Sequence, residues 1–391
     1  MIPERRRILV GLVAAPFLAA CAGPRAGRRE TDAIRIGGLF ALTGDDAALD
    51  RPAADGARLA AREIDAAGGI LGRPVELIVR DTETTAYATA RAARHVVAED
   101  RVVAVVGFSN TDPLLVAAPA IRAAGLPFIT PGATSPKIPA QAGPRVFLAC
   151  FGDNTQAAAG AEFAAARFGK RAALLFNAGV EFTRLLAGYF KTRWRELGGT
   201  IVVEDHYPDK TTDVSAHVAR LAALRPQPDV YYVAAMAYDT AAIVKQFRAA
   251  GLTGPLVGGD SYDAPQVVAA VGDRVFFTTH ALMEGPGASP AVRAFAAAYR
   301  TAYGRAPESA FAALGYDSVR LLADAIRRGG RTDADTIQGA LEATRSFPGV
   351  TGAISFSATS HIPTKPVTII EVRDGRPTLA AAVTPERVPP P

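Results

Sequence analysis

The stretch AVVGFSNTDPLLVAAPAIRAAGLPFITPGATSP, residues 104–136, decides how the chain folds. It reads as strand, loop, helix, strand, loop. The apolar run 102–106 is short, β-branched and bounded by Gly107, which predicts a strand buried in a parallel sheet. Gly107-Phe108-Ser109-Asn110 follows as a loop. Thr111-Asp112-Pro113 then opens a helix, with Thr111 or Asn110 as N-cap and Pro113 in the first turn. That helix reaches residue 124 and stops at Gly125, and a second strand, 127–130, runs into Pro131-Gly132-Ala133-Thr134-Ser135. In open α/β sheets ligands sit outside the carboxyl ends of the strands. Two consecutive strand-end loops therefore bring hydroxyls (Ser109, Thr134, Ser135) and free backbone amides to one edge. A helix N-terminus among such donors favours an anion such as a carboxylate. The same residues also read as ordinary helix caps in two βα turns.

The first twenty residues read as an address rather than as structure. Arg5, Arg6 and Arg7 precede an apolar segment, 8–20, that is too short to span a bilayer comfortably. Leu18-Ala19-Ala20-Cys21 resembles a bacterial lipoprotein signal, in which the Cys is lipidated and becomes the new N-terminus. Arg5-Arg6-Arg7-Ile8-Leu9 loosely resembles a twin-arginine signal, although Glu4 stands where Ser or Thr is usual; ordinary Sec export fits as well. Residues 22–31 read as a flexible tether. The formal charge of +5 over 391 residues is mild and does not argue for nucleic acid. With Cys21 taken by lipid, Cys150 has no disulfide partner in the chain and is expected to be buried.

The rest of the chain alternates. Strands are expected at 34–42, 74–80, 146–150, 172–176, 200–204, 230–235, 255–257 and 276–279. Helices are expected at 52–67, 89–97, 182–197, 214–224 and 240–250. This alternation implies right-handed βαβ units and parallel sheets, and the length implies two domains. Beyond residue 281 the pattern is helical (290–303, 308–328, 333–343). Strands at 352–356 and 367–372 and a turn at Asp374-Gly375 close it.

These pieces in this order resemble the type I periplasmic binding proteins of ABC importers, specifically the branched-chain amino acid (Leu/Ile/Val) receptor family. The resemblance covers roughly residues 34–376. It rests on IGGLFALTG (36–44), GARLA (56–60), DAAGGILG (65–72), Asp81-Thr82, ITPGATSP (129–136), QFRAAGL (246–252) and LGYDS (314–318). It implies an α/β fold of two Rossmann-like lobes with parallel central sheets, joined by a three-crossover hinge. The crossovers are expected near 149–153, 279–284 and 349–354. Residues 33–150 plus 282–351 would form the N-terminal lobe and 151–281 plus 352–380 the C-terminal lobe. Residues 1–20 would be signal peptide, 21–32 lipidated tether and 381–391 a disordered tail.

The resemblance also implies a site. The first lobe would grip a ligand carboxylate through Ser109, Asn110, Ala133 and Thr134; hydroxyls and amides do this without a buried counter-charge. Asp260, in Gly258-Gly259-Asp260, would take the ligand ammonium, unless it is only a helix cap. Phe182 replaces a family Tyr as an aromatic lid, and Leu49, Met236 and Phe311 complete the wall. One loop departs from the family: Asp45-Asp46-Ala47-Ala48-Leu49-Asp50 puts Leu49 and Asp50 where an aromatic or small residue and a Gly are usual. Its three acids disfavour an extra ligand carboxylate, and they fit pairing with a basic ligand, pairing with Arg51, or plain solvation. The family's early disulfide is absent.

The function implied is capture of a small amino acid with an apolar side chain at the periplasmic or other extracytoplasmic face. The chain would be a monomer anchored by lipid, handing its ligand to an ABC permease, with no cofactor, metal or nucleic acid. The alternatives are a ligand sensor or regulator of cell-wall synthesis on the same fold, or a receptor for aromatic or aliphatic carboxylates or amides. Enzyme readings fare worse. Gly107-Phe108-Ser109 mimics a nucleophile elbow but has Thr111 in place of the second Gly. The five His are scattered, and no glycine-rich phosphate loop follows the first strand. Replacing Cys21 with Ser is expected to release an exported, lipid-free protein from the membrane fraction. A wild-type mature chain without lipid, by intact mass, would exclude the lipobox.

Overall fold

The computed structural model describes residues 33–391, so the signal, Cys21 and the tether lie outside the described residues. The first lobe begins with β1 (Ile34–Phe40), α1 (Ala47–Ala66), β2 (Val75–Asp81), α2 (Ala86–Ala98) and β3 (Ala104–Gly107). It continues with α3 (Thr111–Ala123), β4 (Phe128–Thr130), the short α4 (Ile138–Ala142) and β5 (Val146–Leu148). The strands form a parallel sheet in the order β2-β1-β3-β4-β5. Every residue of β3 is buried, as the apolar run 102–106 predicts for a strand covered on both faces. Asn110 caps α3, its side chain accepting the Asp112 amide.

The chain then crosses to the second lobe. There it forms α5 (Asp153–Arg167), β6 (Arg171–Asn177), α6 (Glu181–Glu196), β7 (Thr200–Tyr207) and α7 (Ser215–Ala223). β8 (Val230–Ala234), α8 (Thr240–Ala249), β9 (Leu256–Gly258), α9 (Pro265–Val271) and β10 (Val275–Thr279) follow. The strands β10-β9-β8-β6-β7 are parallel. After β10 the chain returns to the first lobe as α10 (Pro290–Tyr303), α11 (Ala310–Gly329) and α12 (Ala334–Glu342), followed by the hairpin β11 (Phe347–Gly349) and β12 (Gly352–Ile354). β13 (Val367–Arg373), antiparallel to β10, and β14 (Arg376–Val383), antiparallel to β13, finish the second sheet. The second sheet is thus mixed, with a parallel core and an antiparallel margin. Asp374 and Gly375 both have positive φ, 49° and 68°, which suits a two-residue hairpin turn.

Helix α1 starts at Ala47 rather than at 52, which places Leu49 and Asp50, read as loop residues, in its first turn, and three further features differ from the sequence reading. Helix α5 has no counterpart there: it is rich in Ala and buried on nearly every side, so it carries no amphipathic stripe. The third crossover falls at about 362–366 rather than at 349–354, so residues 352–361 belong to the first lobe. Phe356 and His361 pack on the ring of Phe147 in β5, and the Leu148 amide donates to the His361 carbonyl. The segment 381–391 is not a free tail. β14 pairs through Val383 with Val367, the Glu386 amide donates to Glu162, and the carbonyl of buried Pro389 accepts from Asn154 Nδ2 at 2.8 Å.

One crossing fastens the returning segment to the first lobe. Where α1 meets α11, a Cβ on Gly56 would lie 1.8 Å from the Ala312 carbonyl oxygen, and one on Gly315 would lie 1.9 Å from that of Ala53. The two helix backbones touch, and only glycine fits at either point. Gly56→Ala and Gly315→Ala are each expected to force the helices apart and to destabilise by about 1–3 kcal/mol. Calorimetric melting checks this, with the half-buried Gly188→Ala, which has open space around its Cβ, as the control.

Candidate functional site

The carboxyl ends of β1, β3 and β4 face those of β8 and β9 across a narrow cavity. Its lining is Leu49, Ser109, Asn110, Thr111 and Thr134 with Phe311 from the first lobe, and Phe182, Met236, Asp260 and Ser261 from the second. Eight of the nine positions expected from the sequence meet here. The ninth, Ala133, is buried but is not part of the lining, and its amide is already engaged by Thr130 Oγ1 at 3.0 Å. Thr130, Thr111 and Ser261 are additions. Thr130 ties the two first-lobe loops together, since its hydroxyl also donates to the Phe108 carbonyl at 2.8 Å. Ser261 donates to the Ala235 carbonyl at 2.6 Å and so fixes the turn that carries Asp260. No motif marks either one; both act through contacts distant in sequence.

Packing places the apolar wall. Phe311 stands at the start of α11 against Gly132, where a Cβ would lie 2.6 Å from its ring. Leu49 rides the first turns of α1, and Phe182 starts α6. All three are at least nine-tenths buried.

Asp260 is held from both sides. Its Oδ1 accepts from Gln156 Nε2 at 3.1 Å, and its Oδ2 is 3.1 Å from His280 Nε2. The His280 ring stacks on Phe151 with centroids 3.8 Å apart. Burial lowers the His280 pKa against the pull of Asp260, so the ring is held toward neutrality. Asp153, at the start of α5, is fully buried. Desolvation raises its pKa well above the usual range, although the Thr134 hydroxyl and Gln156 oppose the rise. Gln156 and His280 touch Asp260 and Asp153 touches Gln156; sequence reasoning did not single them out. Only tertiary contact with Asp260 distinguishes them.

The three acids of the departing loop divide their work. Asp45 pairs with Lys210 of the second lobe across the cleft mouth. Asp46 accepts from Asn110 Nδ2 at 3.1 Å, and burial pushes its pKa up to about 6. Asp50 is buried in α1. Its Oδ2 accepts the Ala41 amide at 2.7 Å, and desolvation pushes its pKa up to about 7. Arg51, a candidate partner, is exposed instead. A second contact spans the mouth, from the Glu181 amide to Asp112 Oδ2 at 3.3 Å. The wider cavity there, ≈ 660 Å³, is lined by Asp45, Asp46, Asp112, Asp209, Lys210 and Tyr238 among others. Among the described residues no cluster of His, Cys, Asp and Glu is arranged to hold a metal ion.

These buried acids give stability a sign with pH. A carboxylate whose pKa rises on folding binds a proton more tightly in the native state, so its contribution falls as pH climbs from about 4 through the folded value. Asp46, Asp50 and Asp239 have folded values of about 6, 7 and 6, each raised chiefly by burial. His280 works the other way, losing stability as pH drops below its ordinary value. The purified protein is therefore expected to melt at a higher temperature at pH 6 than at pH 8. Asp50→Asn should narrow the gap, and calorimetry across that window checks both.

Comparison with known proteins bears on what such a cavity serves. Residues 33–377 match the pattern of the family described as periplasmic binding protein. The chain is 25% identical over 348 residues to the Leu/Ile/Val-binding protein BraC3 of Rhizobium johnstonii, covering 88% of this chain and 92% of that protein. The crystal structure of the branched-chain amino acid transporter substrate-binding protein LivJ from Streptococcus pneumoniae, in complex with isoleucine, superposes with a TM-score of 0.83 at 29% identity. It covers 90% of this chain and all of that one. The leucine-binding protein LivK of Thermotoga maritima superposes with a TM-score of 0.81, also at 29% identity, over 90% of this chain and 99% of that one.

Proposed function

The chain belongs to the periplasmic binding protein family, and we propose that it is the extracytoplasmic receptor of an ABC importer for a small amino acid or a close derivative with an apolar side chain. The observation that carries this reading is the cavity between the lobes, with a buried acid at one end and an apolar wall in the middle. Asp260 receives the ligand amine, and its ties to Gln156 and His280 hold it in place for that role. Leu49, Phe182, Met236 and Phe311 enclose the side chain. Ser109, Asn110 and Thr134 meet the ligand's other polar end. Both lobes contribute, so a ligand bridging them favours the closed arrangement, which is the form a permease would read. Among the described residues no helix is long and apolar enough to cross a membrane. Attachment through Cys21 would keep the receptor beside its permease.

A charge-assisted hydrogen bond to a buried ammonium is worth roughly 1.5–3 kcal/mol. Asp260→Ala should therefore weaken leucine, isoleucine or valine by about ten- to a hundredfold, and leave amine-free acids such as benzoate unweakened. Titration calorimetry with both ligand classes tests this. A protein that prefers amine-free acids, and whose ligands are all insensitive to Asp260→Ala, would refute the amine assignment.

A further inference from the structure

A second pocket, of ≈ 320 Å³, also takes its walls from both lobes. That volume is within the range of small-molecule sites, and the pocket shares no lining residue with the cleft. Most of its wall is apolar. Val268 of α9, Ile370 of β13 and Pro377 of β14 belong to the second lobe, Leu282 and Met283 to the second crossover, and Pro307 to the first-lobe segment that leads into α11. Two polar groups of the lining lack a full set of partners. Ser309 is 1% exposed and stands at the N-cap of α11, yet its hydroxyl makes no cap and Oγ has no hydrogen-bond partner. Asp263, half-buried, uses one oxygen only: Oδ2 accepts from Thr279 Oγ1 at 2.6 Å and from the Ala310 amide at 2.9 Å. Among the described residues Oδ1 has no hydrogen-bond partner, and no cation pairs with Asp263. No Arg or Lys lines the pocket. Its other acids are engaged elsewhere: Glu284 pairs with Arg300 at 2.6 Å, and Glu308 accepts from Tyr299 Oη at 2.9 Å and pairs with Arg305.

The chemistry of the pocket follows from these two groups. A carboxylate among apolar walls is costly unless a cation or further N–H donors complete it, and a buried hydroxyl without a partner is costly too. Ser309 directly precedes Ala310, whose amide Asp263 already holds, so the hydroxyl and the carboxylate are neighbours. An ammonium group has three donors and no acceptor. It satisfies Asp263 Oδ1 and the lone pairs of Ser309, while its apolar substituent lies along the wall. An anion would meet three carboxylates and no cation, and a purely apolar molecule would leave both polar groups unmet. We propose that this pocket is a second ligand site, which takes a small primary amine carried on an apolar body, with Asp263 receiving the ammonium and Ser309 assisting it. The site does not rest on the reading of the cleft. Asp260 and Asp263 stand at the two ends of one turn, Asp260 in the cleft lining and Asp263 in this one. Burial raises the Asp263 pKa to about 6, against the pull of Thr279 and the Ala310 amide, so the group is ionised at pH 7.5.

The probe is benzylamine, with benzyl alcohol as its uncharged counterpart, each titrated by calorimetry at pH 7.5 into the purified protein. Both titrations are repeated in Asp260→Ala, so that an amine taken up by the cleft is told apart. Benzylamine should bind at least about tenfold tighter than benzyl alcohol, in wild type and in Asp260→Ala alike. Asp263→Asn keeps an acceptor for Thr279 and Ala310 but removes the charge, and it should erase that tenfold advantage. Ala269→Trp sets an indole at an exposed position of the lining and should abolish binding of both probes. It also serves if the Asn variant fails to fold, which melting of each variant without probe checks. A wild type that binds neither probe, or binds the two equally, overturns the proposal. So does benzylamine binding that both pocket variants leave unchanged, or that Asp260→Ala alone abolishes, since the amine then sits in the cleft. Loss in both pocket variants, with Asp260→Ala unaffected, establishes the second site whatever the cleft itself binds.

Discussion

The contact of two helix backbones at Gly56 and Gly315 is the constraint on which the rest of the molecule depends. The first lobe is built from two separated pieces of chain, and α1 and α11 are where they meet. Leu49 and Asp50 sit at one end of α1, and Phe311 sits at the start of α11. Their meeting on one cavity wall is therefore a consequence of the crossing. The hinge is pinned in the same spirit. Lys365, in the third crossover, is buried; its Nζ donates to the Ala149 carbonyl of the first crossover and to Thr351 Oγ1 at 2.7 Å each. Burial lowers its pKa to about 8, so at neutral pH it stays charged, held by those acceptors and by nearby Asp317.

Within that frame, burial governs the chemistry of the cleft. Asp46, Asp50, Asp153 and Asp239 are all out of water, and for each the largest influence is desolvation rather than a neighbouring charge. Taking an ionised carboxylate from water without a partner is costly enough that the group neutralises instead. Hydrogen bonds limit the rise: the Ala41 amide at Asp50, Tyr207 and Asn177 at Asp239.

Much of this was legible in the sequence, for identifiable reasons. The strands β3 and β4 and their loops declare themselves because β-branched runs end at Gly107 and at Pro131-Gly132, and such punctuation is local. Asn110 was readable as a cap, and it is one, accepting the Asp112 amide while its amide group reaches Asp46. Asp50 was visible only as an anomaly. Its meaning lies in the Ala41 amide, which no periodicity connects to it. Gln156 and His280 were silent for the same reason, since Asp260 meets them only after β9, α5 and the second crossover have converged. Helix α5 escaped because alanine makes a helix without an amphipathic stripe, and the C-terminal segment because its partners, Glu162 and Asn154, lie more than two hundred residues away.

The mouth of the cleft adds a last step. The lobes touch there through Asp45 with Lys210, and through the Glu181 amide with Asp112. Asp45 and Lys210 are about half exposed, and an ion pair so placed contributes little net energy and is screened by salt. Such contacts align closure without enforcing it. The buried groups decide: Ser109, Thr111, Asp50 and Asp153 all hold unpartnered polar atoms near the seam. Shutting the lobes on them costs free energy unless a ligand completes their bonds, at roughly 1–3 kcal/mol for each group left unpaired. On the function proposed above, closure follows occupancy by the right chemistry, and a weak latch at the rim leaves the lobes free to part when that chemistry is withdrawn.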